Sequence, residues 1–215
     1  MRSAFRVFGR AIGDTWYQLI GYTACNIVVV LGSLLVIPAP PLLVGLFQVS
    51  TESARYNERP EVSALLRAAR ERFLDAWKLA AIALLGIFLL SVSVYFYAAL
   101  GTTWALPLVA LTFTLSWAWL GVIFYSSALL VRSERGVGIA IRNSLVVFSR
   151  YPVFSSTLLI LCFFVFLLSI FVAPLFVLVT ISFYVVLSTR ATTWALRKEG
   201  LLPPETAPQE QPVEF

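Results

Sequence analysis

Residues 153–188 read VFSSTLLILCFFVFLLSIFVAPLFVLVTISFYVVLS, 36 positions without a charged side chain. A helix needs about 20 predominantly apolar residues to cross roughly 30 Å of hydrocarbon. The stretch is therefore too long for one ordinary span and long enough for two. Pro174 stands near its middle, where it removes a backbone N–H and its ring crowds the preceding turn. We read a tight hairpin of two spans, about 153–172 and 174–196, with a single helix kinked at Pro174 as the alternative.

Working outward, residues 17–37, 77–100 and 104–131 are apolar over comparable lengths. Hydrocarbon offers no water to backbone amides, and the chain lacks the alternating pattern of a membrane barrel, so these spans are helices. Composition agrees. Only 13% of residues are charged, 60% are hydrophobic and the mean hydropathy is +0.88, whereas a soluble domain carries roughly a quarter charged residues. The fold class expected is all-α, a polytopic transmembrane helical bundle forming one domain over residues 1–198. Residues 199–215, with Pro203, Pro204, Pro208 and Pro212 among Glu and Gln, read as a disordered tail.

The element that decides the span count is residues 39–54. Leu42 to Phe47 are apolar, but Gln48, Ser50, Thr51, Glu52 and Ser53 follow, and 16 helical residues reach only about 24 Å. The 16 Lys and Arg residues test it independently. They fall at Arg2–Arg10, Arg55–Lys78, Arg132–Arg150 and Arg190–Lys198. With six spans all of them lie on one side; with five, Arg2, Arg6 and Arg10 oppose the rest. The positive-inside rule favours six, with both termini cytoplasmic in a cell (inner) membrane and with short uncharged outer turns at Pro38–Pro41, Ala99–Thr103 and Ala173. The first apolar run, about 21 residues, exceeds a signal-peptide core and reads as an uncleaved helix.

Two polar-side segments are amphipathic. In 60–77, Val62, Leu65, Leu66, Ala69, Phe73 and Trp77 share a face; in 137–151, Val137, Ala140, Ile141, Ser144, Phe148 and Tyr151 do. Both read as interfacial helices whose apolar face dips into the bilayer surface while Arg67, Arg70, Arg72 and Arg142 reach lipid headgroups. A faint repeat, Leu66-Arg67 with Phe73 and Ile141-Arg142 with Phe148, joined by Asp14-Thr15-Trp16 and Asp75-Ala76-Trp77, reads as helix-then-hairpin units, or as coincidence. Trp16, Trp77 and Trp194 fall at the cytoplasmic edges of the spans and Trp104 at the outer edge, as anchors. Trp117 and Trp119 lie deeper, for packing or for lining a path. Gly21, Gly32, Gly45, Gly86 and Gly121 are expected to allow close helix approach. Cys25 and Cys162 read as buried apolar residues without a disulfide.

The chain has no histidine, which removes the commonest general base and most zinc sites. It shows no phosphate-binding or dinucleotide motif, and no charge lies deep in a secure span. We expect no catalytic residue, metal or cofactor, and no nucleic-acid partner, since the basic residues flank apolar spans. Glu52 reads as interfacial. Asn26 is the most informative polar residue within a span, and Gln48 on the neighbouring segment is its expected partner, either as a bond between helices or as a ligand contact.

The order of features resembles the YesL-like family of small bacterial membrane proteins. It runs from a basic amphipathic start through Asn26, the Pro-rich turn with Ala39, an apolar-to-polar second helix, Phe73-Leu74-Asp75-Ala76-Trp77 and Arg142-Asn143-Ser144 to the spans flanking Pro174. The Pro40-Pro41 start and polar lower half of the second helix depart from it. The resemblance implies this topology and a setting of carbohydrate uptake beside sugar transporters, with no agreed activity or functional residues. The leading expectation is a non-enzymatic accessory protein bound to the bilayer and to a membrane partner such as a sugar-transport permease. The alternative is a small transporter or channel, as a homo-oligomer, with a path along Asn26, Gln48, Ser91, Ser93, Thr112, Thr114 and Ser116; an enzyme ranks third.

Overall fold

The computed structural model describes residues 2–56, 58–133, 136–171 and 179–203. The expected turn at Pro174 and residues 204–215 of the tail lie outside them. The regular elements among the described residues are helices: α1 (Arg2–Tyr17), α2 (Leu19–Ser33), α3 (Ala39–Tyr56), α4 (Val62–Glu71), α5 (Phe73–Ala99), α6 (Leu106–Arg132), α7 (Val137–Arg150), α8 (Pro152–Phe171) and α9 (Ile181–Lys198). A 3-10 turn, Thr103–Ala105, leads into α6. Three helical stretches, Phe73–Ala99, Thr103–Arg132 and Pro152–Ile170, are long and apolar enough to cross a bilayer. α2 is apolar but only 15 residues long.

The helices form three consecutive units, each an amphipathic helix followed by an outer and an inner helix: α1–α2–α3, α4–α5–α6 and α7–α8–α9. The packing repeats cyclically. The inner helices α3, α6 and α9 all touch one another. Each inner helix also receives the amphipathic and outer helices of the next unit: α4 and α5 on α3, α7 and α8 on α6, α1 and α2 on α9. The outer helices follow the same rule, with α2 touching α4, α5 touching α7 and α8 touching α1. The contacts of the three units thus follow one another in a cycle, closed because α1 packs on α9.

Local chemistry makes each joint. Gly45 of α3 lies against α4 so closely that an added Cβ would stand 2.7 Å from Leu65 O. At Gly121 of α6 the ring of Phe148 from α7 fills the corresponding space. On α9 the contact is Phe183 edge-on to Phe8 of α1, 5.5 Å between ring centres. Gly21, Gly32 and Gly86 likewise have neighbours closer than a side chain would allow. The residue linking amphipathic to outer helix ties down the end of its own unit's inner helix. Gln18 Oε1 accepts from Ser53 Oγ at 2.6 Å. Arg72 donates to Leu130 O and Val131 O at 3.2 and 3.4 Å. Tyr151 donates to Glu199 at 2.6 Å. The Arg72 bonds satisfy carbonyls that the end of α6 would otherwise leave open.

Two expectations need correction here. The apolar side of α4 buries Leu65, Ala68 and Ala69 against α3, while Leu66 and Phe73 stay exposed. α7 buries Val137, Ala140, Ser144, Val147 and Phe148 and packs on α6. The buried part of each face is spent on the protein, and the exposed Leu66 and Phe73 are the part left for a bilayer surface. The second correction concerns depth. The sequence puts Trp77 at the cytoplasmic edge and Ile37 at the outer end of the first span, yet Trp77 Nε1 donates to Ile37 O at 3.1 Å. The α4–α5 path climbs antiparallel to α3, from Gly45 against Leu65 up to Ile37 against Trp77, and α5 then continues 22 residues to Ala99. That is about 33 Å of helix beyond the α2–α3 turn. The turn itself holds Val36 at φ 59, a left-handed conformation costly for a β-branched residue. Its Leu34, Leu35, Val36 and Ile37 are 64–76% exposed.

Candidate functional site

The inner helices meet through aromatic rings. Phe47 and Phe124 are fully buried and approach Tyr184 edge-on, at 6.2 and 5.5 Å between ring centres. From these rings toward the chain's basic side, each helix carries a buried hydroxyl pair: Ser50 and Thr51, Ser126 and Ser127, Ser188 and Thr189. Each pair begins five residues after the contact made by Gly45, Gly121 or Phe183. Ser126 bonds Val122 O and Ser144 Oγ at 2.6 and 3.2 Å, and Ser188 bonds Phe124 O. Ser126 and Ser188, held in this way, add no unpaired polar group to the core.

Asn26 is fully buried, and Ser182 supplies its partner across α2 and α9. The Ser182 N–H donates to Asn26 Oδ1 at 3.2 Å, and Ser182 Oγ lies 3.1 Å from Tyr22 O and 3.3 Å from Asn26 Oδ1. Gln48 does not meet Asn26. Its amide donates to Glu52 at 3.1 Å and its carbonyl accepts from Arg72 Nε at 3.2 Å. The Asn26–Gln48 pairing is corrected accordingly: the two side chains leave α2 and α3 in different directions, and Gln48 is taken by the Arg72 cap. Arg72 is turned inward by the same three bonds rather than toward headgroups. Arg67, Arg70 and Arg142 are exposed, as headgroup contact requires.

The polar residues considered for a path are not gathered. Ser93, Thr112, Thr114 and Ser116 donate to carbonyls one turn back on their own helices, and Ser91 and Thr114 are exposed. Trp117 and Trp119 have packing roles, bonded to Ser156 Oγ and Ala83 O at 3.1 and 3.2 Å. Trp194 is packed too, stacked on Phe154 at 3.9 Å beneath the Lys198 ammonium.

Sequence reasoning missed a cavity of about 360 Å³ between the α1–α2 junction, the end of α3 and α9. Asp14, Gln18 and Tyr22 come from the first two helices, Ser50 and Ser53 from α3, and Thr189, Arg190 and Arg197 from α9. Arg190 Nε donates to Asp14 Oδ2 at 2.6 Å, and Tyr22 lines the cavity beside Ser50 and Ser53. The charges of Arg55, Arg190 and Arg197 all act on Arg132, which donates to Thr193 Oγ1 at 2.6 Å. These arginines were visible in sequence as flanking charge; their convergence depends on how α3, α6 and α9 meet. No protein-family model matches this chain, and no curated protein or solved structure is similar to it.

Proposed function

We propose that this is a non-enzymatic accessory integral membrane protein that joins another membrane protein through its projecting α5–α6 hairpin. One observation carries the reading: only 6% of the apolar window of α5 is buried within the chain. Apart from the face through Ala83, Gly86, Leu90 and Ser93, which lies toward α6, the helix is open to lipid or to a second membrane protein. In a bilayer such association rests on close packing rather than on exclusion of water.

The hairpins enter from the side holding the basic residues, with both termini cytoplasmic in the cell membrane. The second hairpin crosses, and so does α8. Whether all six helices span turns on α2–α3, whose apolar turn beside Trp77 favours a hairpin that ends within the hydrocarbon. Either depth leaves the basic residues on one side, so the positive-inside argument is retained. The exposed Arg67, Arg70 and Arg142 then form a fixed basic rim at the headgroups. The resemblance to YesL-like proteins makes a sugar-transport permease the partner class to test first.

A photo-crosslinking residue at Phe88, 63% exposed on α5, tests the proposal in native membranes. The expected result is a discrete adduct with a different integral membrane protein. Adducts with lipid alone, together with purification of this chain alone in mild detergent, would overturn it.

A further inference from the structure

We propose that the cavity between the α1–α2 junction, the end of α3 and α9 binds a phosphate group, presented by a soluble phosphorylated molecule or by a lipid headgroup. The inference is independent of the partner on α5. Among the described residues the wall carries two guanidinium groups, Arg190 and Arg197, and one carboxylate, Asp14. The surroundings add further guanidinium groups, because Arg55 and Arg132 belong to the same electrostatic cluster. Arg55, Arg132 and Arg197 stand in the last turns of α3, α6 and α9, where a cation offsets the helix dipole. Arg190 does not fit that explanation. It stands eight residues before the end of α9 and is held at the cavity wall by Asp14.

The second observation is a donor without an acceptor. Thr189 Oγ1 is buried, its residue 1% exposed, and has no hydrogen-bond partner among the described residues. Thr189 lines the same cavity. Buried hydroxyls in native proteins are nearly always bonded, and an oxygen of a bound anion would complete this one. Tyr22, Ser50 and Ser53 add hydroxyl groups to the wall. Planar guanidinium groups match the paired oxygens of phosphate. The volume exceeds what phosphate alone needs and accommodates an attached organic group.

The test uses the full chain in an uncharged maltoside detergent, titrated with inorganic phosphate against chloride at equal ionic strength and read by calorimetry and thermal unfolding. Its second arm asks whether phosphatidylglycerol from defined nanodiscs stays bound, one per chain, through a detergent wash. A saturable phosphate response that falls about tenfold in Arg197→Gln supports a soluble source. Retained phosphatidylglycerol lost in Arg197→Gln, without a phosphate response, supports a headgroup. Thr189→Val keeps the volume and charge and should weaken either signal several-fold; it serves if Arg197→Gln does not fold. Arg6→Gln removes an equal charge outside the cavity and should change neither. No saturable signal in either arm, or an equal loss in Arg6→Gln, overturns the site.

Discussion

The α2–α3 and α5–α6 hairpins hold the same place in two successive units, yet one is short with a partly polar second helix and the other is long and apolar throughout. α2 and α3 have 15 and 18 residues, whereas α5 and α6 have 27 each. α3 buries ten residues, among them Ser50, Thr51 and Ser53, while α5 buries only Ala76 and Leu79. The difference shows that hydropathy reports what surrounds a helix, not whether the helix belongs to the bundle. A helix enclosed by protein carries hydroxyls and amides because neighbours satisfy them. One facing lipid has only packing to offer.

Leu85→Lys on α5 is the strongest challenge to this contrast. Leu85 is 58% exposed near the helix centre, and lysine there should cost about 3 kcal/mol of insertion free energy. The fraction of chains with α5 crossing, read by glycosylation of flanking sites, should fall sharply. An unchanged fraction would mean that α5 does not face hydrocarbon.

Glycine packing supplies the next largest effect. An added methyl at Gly45 meets the carbonyl of Leu65, which is fixed backbone, and should cost about 2 kcal/mol. At Gly86 it meets the Trp119 ring, which can swing away at the loss of its bond to Ala83 O. Thermal unfolding in detergent should therefore separate Gly45→Ala from Gly86→Ala, the latter costing less than about 1 kcal/mol. Equal losses would mean that both hairpins are packed alike.

Buried and exposed polar groups differ in the same sense. Asn26→Ala strips the acceptor from the Ser182 N–H in the core and should cost about 1.5 kcal/mol. Thr114→Val removes an exposed hydroxyl bonded to its own helix and should stay within about 0.5 kcal/mol. The comparison fails if Thr114→Val is the more damaging when both are followed by unfolding.

What the sequence disclosed follows from this division. The lipid-facing helices were legible because apolar length is their only requirement: expected spans 77–100 and 153–172 correspond to Phe73–Ala99 and Pro152–Phe171. Residues 39–54 were harder, because burial within protein relaxes that requirement and Gln48 to Ser53 looked like a helix leaving the membrane. The repeat stayed faint since Gly45, Gly121 and Phe183 perform one task with unlike residues. Asn26 was recognisable as a buried amide, but naming Ser182, far along the chain, required knowing that α1 and α2 close onto α9. The cavity was hidden for the same reason: its two arginines matter through their convergence with Thr189 and Asp14.

The smallest energetic effect bears most directly on depth. Trp77→Phe removes the bond to Ile37 O and should cost only about 0.5–1 kcal/mol, because four exposed apolar residues, Leu34 to Ile37, independently favour hydrocarbon. In a version lacking Cys25 and Cys162, a cysteine at Thr102 should react with an impermeant thiol reagent from outside. One at Leu35 should react from neither side, yet should be reached by a lipid-phase quencher. That pattern should persist in Trp77→Phe, since the turn is held by its own side chains as well as by the indole. Labelling of Leu35 from outside, as readily as Thr102, would instead carry α2 and α3 across the bilayer. The first hairpin would then be a full counterpart of the second, and the 33 Å by which α5 outruns it would have to be reconciled with a single membrane thickness.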